Sequence, residues 1–134
     1  LTNNTLPYSG AAKVVKAAPG IKWEVWVGYK NGGLYRSSDA GKTFTPIMKL
    51  TSLINFAFGK PAPGSNCPTV FVYASIDGER GVFRSDDMGN SWVRINTDAN
   101  KMGLTKYMAG DRQVYGRVYL ATSGRGIYYG EPSN

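Results

Sequence analysis

The chain has 134 residues, 42% hydrophobic and 19% charged, a balance that favours folding over disorder and suffices for one domain. No apolar run approaches the roughly 18 residues of a membrane span, and a single cysteine, Cys67, excludes an intrachain disulfide. The net charge of +7 is carried by lysines and arginines spread along the chain rather than gathered on one stretch, so neither nucleic acid nor membrane is an expected partner.

The N-terminal Leu1-Thr2-Asn3-Asn4 has neither the basic start nor the apolar stretch of a signal peptide. With no initiator Met, it reads as a processed or excised segment whose compartment stays open. From there, alternation and turn residues predict strands over Ala12–Lys16, Glu24–Tyr29, Leu34–Ser37 and Thr43–Met48. A second set follows at Leu53–Gly59, Thr69–Ser75, Val82–Ser85 and Ser91–Ile95. A third has three members, Lys106–Ala109, Arg117–Thr122 and Ile127–Tyr129.

These sets are repeats of one unit. Val25-Trp26-Val27-Gly28 with Gly33-Leu34-Tyr35-Arg36-Ser37 aligns with Val72-Tyr73-Ala74-Ser75 and Gly81-Val82-Phe83-Arg84-Ser85. Val118-Tyr119-Leu120-Ala121 with Gly126-Ile127-Tyr128-Tyr129-Gly130 continues the series. Gly33 and Gly81 are 48 positions apart, and Gly81 and Gly126 are 45, a period that fits one four-stranded blade. The expected fold is therefore all-β, a partial β-propeller of four-stranded antiparallel blades with Asp-box hairpins. Residues 1–134 form one unit, with blades at 11–48 and 53–96 and an incomplete blade at 104–130. Such an arc cannot close a ring, and each repeat relies on its neighbours. A fragment of a larger propeller or an assembly of several copies is expected, with an apolar blade face exposed at each end. Leu1–Leu6 is a candidate strand for completing a distant blade.

The Asp boxes have the pattern Ser-x-Asp-x-Gly-x-Thr/Ser-aromatic. One comprises Ser37, Asp39, Gly41, Thr43 and Phe44, the other Ser85, Asp87, Gly89, Ser91 and Trp92. In each, the carboxylate is expected to accept turn amides, the glycine to adopt positive φ, and the aromatic to pack under the hairpin. Asp39 and Asp87 resemble reactive carboxylates, but the plainer reading is structural. The aromatic recurring at Trp26, Tyr73 and Tyr119 is read as packing, whereas Trp23 and Tyr29 fall outside that position and are candidate sugar platforms. Cys67 precedes Pro68 and lacks any histidine to activate it, so it is read as inert. No metal cluster, no Ser/His/Asp arrangement and no cofactor motif is present.

Three stretches carry a family resemblance. Gly110-Asp111-Arg112-Gln113-Val114-Tyr115-Gly116-Arg117-Val118-Tyr119 through Gly124-Arg125-Gly126-Ile127 resembles the C-terminal end of glycoside hydrolase family 74. So do Phe58-Gly59-Lys60-Pro61-Ala62-Pro63-Gly64 and Phe83–Asn96. The resemblance implies a secreted parent enzyme that hydrolyses xyloglucan or related β-1,4-glucans with inversion. It further implies two seven-bladed propellers around a substrate cleft and two catalytic aspartates in early parts of the propellers, outside this segment. The family often continues past Ile-Asn with an acidic, His-containing stretch, where this chain reads Thr97-Asp98-Ala99-Asn100-Lys101.

Inverting hydrolysis needs two carboxyls about 6.5–9.5 Å apart. Of nine acids here, two are committed to Asp boxes, and Asp77 and Glu79 read as solvated turn carboxylates, so no catalytic residue is assigned. The first functional reading is a non-catalytic propeller segment supplying scaffold and one wall of a cleft for a plant cell-wall β-glucan such as xyloglucan. The alternatives are a stand-alone carbohydrate-binding module, oligomeric or not, and an Asp-box propeller for protein interaction. Sialidase is a poor fit, lacking Arg-Ile-Pro. Propeller ligands sit on the face built from second-to-third-strand loops and interblade loops. That topology points to Tyr29, Lys30, Asn31, Asp77, Glu79, Arg80 and Arg125, with Asp98 and Asn100 in the interblade loop.

Overall fold

The computed structural model describes residues 4–8, 10, 14–47, 49–95, 105–122 and 126–132. Its regular structure is all β, in three antiparallel sheets taken in chain order. The first joins β1 (Val14–Ala17), β2 (Val25–Tyr29), β3 (Gly33–Ser37) and β4 (Thr45–Pro46). The second joins β5 (Leu50–Gly59), β6 (Thr69–Ile76), β7 (Glu79–Ser85) and β8 (Val93–Arg94). The third joins β9 (Thr105–Gly110), β10 (Val118–Thr122) and β11 (Gly126–Gly130). Each sheet is a meander, so its first strand is an edge, and β5 packs against both β1 and β9. The three first strands thus line the inside of the arc, as in a β-propeller.

The fourth strands are shorter than the sequence predicts, two residues each instead of Thr43–Met48 and Ser91–Ile95. The backbone amides of Thr43 and Ser91 are given to Asp-box carboxylates instead of a strand ladder. Strand β5 begins earlier than predicted, at Leu50, and reaches Ile76 through two register shifts. The β6–β7 hairpin closes on Asp77-Gly78, both at positive φ, the geometry that a two-residue turn of this type requires. It therefore carries two more strand pairs beyond Ala74↔Gly81.

That extension corrects the aromatic alignment. Counted by strand register, Trp26 opposes Arg36, Phe71 opposes Arg84 and Tyr119 opposes Tyr129. The recurring position is therefore Trp26, Phe71 and Tyr119, not Tyr73; Trp26 and Phe71 are fully buried.

Period-2 alternation sends successive residues of one strand to different neighbours. From β6, Val70, Val72, Ala74 and Ile76 face the first sheet, joining Trp26, Leu34, Leu53, Phe56 and Phe58 in one core. Phe71 points the other way, into a second core with Val82, Met108, Val118 and Leu120. Burying a side chain of this size stabilises by roughly 1.5–3 kcal/mol relative to exposure, so each sheet depends on the one beside it. The backbones of β5 and β9 meet closely at Gly110, where a Cβ would lie 2.4 Å from the Phe58 carbonyl oxygen. Large apolar side chains are exposed at Val15 of the first sheet and at Tyr107, Ile127 and Tyr129 of the third.

The candidate closing strand Leu1–Leu6 lies only partly within the described residues. Residues 1–3 lie outside the described residues, and residues 4–6 belong to no strand. Just beyond it, the Tyr8 ring lies against the Tyr29 ring at 5.1 Å.

Candidate functional site

Each Asp box is built by the same bonds. Ser37 donates to Asp39 at 2.7 Å and accepts the Gly41 amide at 2.8 Å, while Asp39 accepts the Thr43 amide at 2.9 Å and its hydroxyl. Ser85, Asp87, Gly89 and Ser91 repeat these distances. Ala40-Gly41 and Met88-Gly89 all have positive φ, which turns the chain so that these donors converge. The Thr43 hydroxyl and amide, then Ser37, hold the Asp39 carboxyl below the usual carboxylate range. For Asp87, burial pushes upward, but bonds from Ser91 and Ser85 prevail and the carboxyl is again lowered. Carboxylates held ionised in this way accept hydrogen bonds and do not act as general acids near neutral pH. Trp92 packs against the first core.

The candidate glycan-facing residues occupy the opposite ends of the strands. Lys30 and Asn31 form the β2–β3 turn, and the Lys30 carbonyl accepts the Leu53 amide at 3.1 Å. Asp77 lies in the β6–β7 turn, where its amide donates to the Lys49 carbonyl at 3.4 Å. The start of β5 thus joins turns from two sheets into one edge bearing exposed Lys30, Asn31, Asp77, Glu79 and Arg80. Glu79 is paired with Arg94 at 2.6 Å, and Arg94 also donates to the Arg80 carbonyl at 3.4 Å. Asp98, Asn100 and Arg125 lie outside the described residues.

Two candidates are placed elsewhere. Tyr29 is completely buried, with edge contacts to Tyr8 and Tyr35, so the platform reading is corrected to a packing role. Burial first, and then Tyr35, raise its phenol above the ordinary value. Trp23 is exposed, but it sits in the β1–β2 turn at the Asp-box end, where its carbonyl accepts the Ala40 amide at 2.9 Å. It shares no edge with Lys30 or Asp77.

Sequence reasoning missed Lys49, whose positive φ marks the interblade connection beside Asp77. It also missed a polar joint between the second and third sheets. There Asp86 accepts from Tyr115 at 2.9 Å and Thr69 at 3.2 Å, and pairs with Arg84 at 3.4 Å. Asp111 caps its own turn, accepting the Gln113 and Val114 amides, which lower its carboxyl. Glu24 is buried, paired with Arg36 at 2.9 Å and accepting from the Trp26 indole at 2.8 Å. Cys67 touches Ser65 and the Asp86 carbonyl. Among the described residues no group of three metal-ligating side chains occurs.

No protein-family model matches the chain. A xyloglucanase of a Paenibacillus species is 45% identical over 132 residues, covering 95% of this chain and 13% of that protein. Xyloglucanase Xgh74A of Acetivibrio thermocellus is 46% identical over 121 residues, covering 90% of this chain and 14% of that protein. The crystal structure of the GH74 enzyme of Niastella koreensis superposes with a TM-score of 0.85 at 35% identity, over 88% of this chain and 18% of that one. The chain therefore spans a small part of the length of the curated relatives it matches. Sequence and fold agree that it corresponds to a β-propeller segment of the glycoside hydrolase family 74 xyloglucanases.

Proposed function

We propose that the chain is a non-catalytic, C-terminal propeller segment of an extracellular xyloglucan or β-1,4-glucan hydrolase, supplying scaffold and one wall of the glycan cleft. The observation that carries this reading is the single edge made by the Lys30–Asn31 turn, Lys49 and the Asp77–Arg80 hairpin in a chain so similar to xyloglucanases. These side chains offer donors and acceptors suited to sugar hydroxyls, on turns held by backbone bonds to β5. Asp98, Asn100 and Arg125, which lie outside the described residues, are assigned to the proposed wall from their sequence positions alone.

Of the described carboxylates, all but Asp77 have structural partners. Asp39 and Asp87 are held in turns, Glu24, Glu79 and Glu131 are paired with arginines, and Asp86 and Asp111 are joined to tyrosines. This supports a wall rather than an acid/base pair. The exposed Tyr107, Ile127 and Tyr129 suit a surface covered by further blades or further copies of the chain.

Affinity electrophoresis of folded protein in xyloglucan and cellulose gels tests the reading. Retardation in xyloglucan is expected; unchanged mobility would instead favour the protein-interaction alternative. Release of reducing sugar by pure protein would overturn the non-catalytic assignment.

A further inference from the structure

The three inner strands flank an open cleft of about 330 Å³ at the end of β5 remote from the proposed glycan wall. Its lining includes Lys16 of β1, Phe58 of β5, Met108 of β9, and Arg112 just beyond β9. Leu53 lies near the start of β5 and Phe58 near its end, so the two regions are separated by roughly 15 Å at about 3.3 Å per residue. Two cations therefore line one small, partly apolar space.

Neither cation has a carboxylate partner among the described residues. The ion pairs there are Glu24 with Arg36, Glu79 with Arg94, Asp86 with Arg84, and both Asp111 and Glu131 with Arg117. Burial and then the charge of Arg112 lower the Lys16 ammonium below its ordinary value, as expected for a cation lacking a counter-charge. The Lys16 Nζ lies 5.8 Å from the Phe56 ring centroid, a weak compensation. Lys16 is half-buried and Arg112 exposed at the mouth of the same cleft, so an anion seated there would meet both positive charges.

We propose that Lys16 and Arg112 form a binding site for a small oxyanion, inside the arc and opposite the proposed glycan wall. An oxyanion guest is favoured because Arg112 presents a planar fork of donors and Lys16 a point charge, together suited to two or more oxygens. Tetrahedral sulfate or phosphate and a carboxylate share this chemistry.

The experiment is a titration of the folded chain with sulfate, inorganic phosphate and acetate, with sodium chloride holding ionic strength constant. Thermal midpoint and phosphate ³¹P linewidth are the readouts. A saturable rise in the midpoint is expected for at least one of the three, as for any ligand that binds only the native state. The strongest of the three identifies the guest as tetrahedral or carboxylate. Arg112→Gln changes an exposed side chain and should keep the wild-type fold while weakening the response at least tenfold. Lys16→Met should also weaken it. A rise linear in concentration and equal in wild type and Arg112→Gln is a solvent effect and would overturn the site. So would the absence of any response.

Discussion

The Tyr115 hydroxyl donates to Asp86 at 2.9 Å, tying the β9–β10 turn of the third sheet to the Asp-box hairpin of the second. The bond crosses a sheet boundary, and Arg84 lies over the Tyr115 ring, 5.4 Å from its centroid. Tyr115→Phe keeps the ring and removes only the donor. It should cost about 1–2 kcal/mol, because Asp86 retains Thr69 and Arg84. Burial, and then Asp86, raise the Tyr115 phenol, so its contribution is fully present below about pH 10 and lost as pH rises through the raised value. Thermal melts from pH 8 to 11 should show a smaller alkaline loss in Tyr115→Phe than in wild type. Tyr29, also raised, accounts for part of the loss that persists.

The Asp boxes predict the opposite end of the pH range. Asp39 and Asp87 both have lowered carboxyls, so their contribution is present above the unfolded value near pH 4 and lost as pH falls through the folded values. Melts between pH 6 and 2 should fall steeply below about pH 4. The Asp39→Asn, Asp87→Asn double variant should be less stable at pH 6 and flatter in acid. An unchanged acid slope would remove the Asp boxes as its source.

A third prediction separates the two ends of the strands. Arg80→Ala and Lys30→Ala alter the proposed glycan wall and should each weaken xyloglucan retardation two- to tenfold, the range for loss of one net hydrogen bond. Trp23→Ala, at the Asp-box end beside Ala40, should leave retardation unchanged. Loss of binding in Trp23→Ala alone would move the glycan surface to the other end.

How much of this was legible in the sequence depends on how far apart the partners lie. Ser37, Asp39, Gly41 and Thr43 act within seven residues, so their spacing alone disclosed the turn. The strand sets were legible because alternation reports burial on a local scale. The recurring aromatic was misaligned by two, since the extra pairs of the Asp77-Gly78 hairpin lengthen β6 without changing the apolar pattern. Tyr29 looked like a platform because its cover comes in part from Tyr8, a segment with no strand signal. Lys16 and Arg112 belong to different sheets, and only the arc brings them to one cleft. Trp23 was read as a sugar platform because it falls outside the recurring aromatic position, which does not reveal which end of a strand its turn occupies.

Gly110 provides the sharpest test of the inner packing. Its position faces the Phe58 carbonyl, and a Cβ there would be 2.4 Å from the oxygen and 2.8 Å from the Gly59 Cα. These are backbone atoms, so no side-chain rotation relieves the overlap; β9 must move away from β5. Gly28 has an equally close neighbour, but it is the Leu53 side chain at 2.2 Å, which can adopt another rotamer. Gly110→Ala should therefore cost more than Gly28→Ala, about 3 kcal/mol or above against roughly 1–3 kcal/mol. Since β5–β9 is the inner contact between the second and third sheets, the Gly110 variant should also lose amide-exchange protection first in β9–β11. Equal destabilisation by the two variants, with uniform loss of protection, would show that the inner strands yield as readily as a side chain.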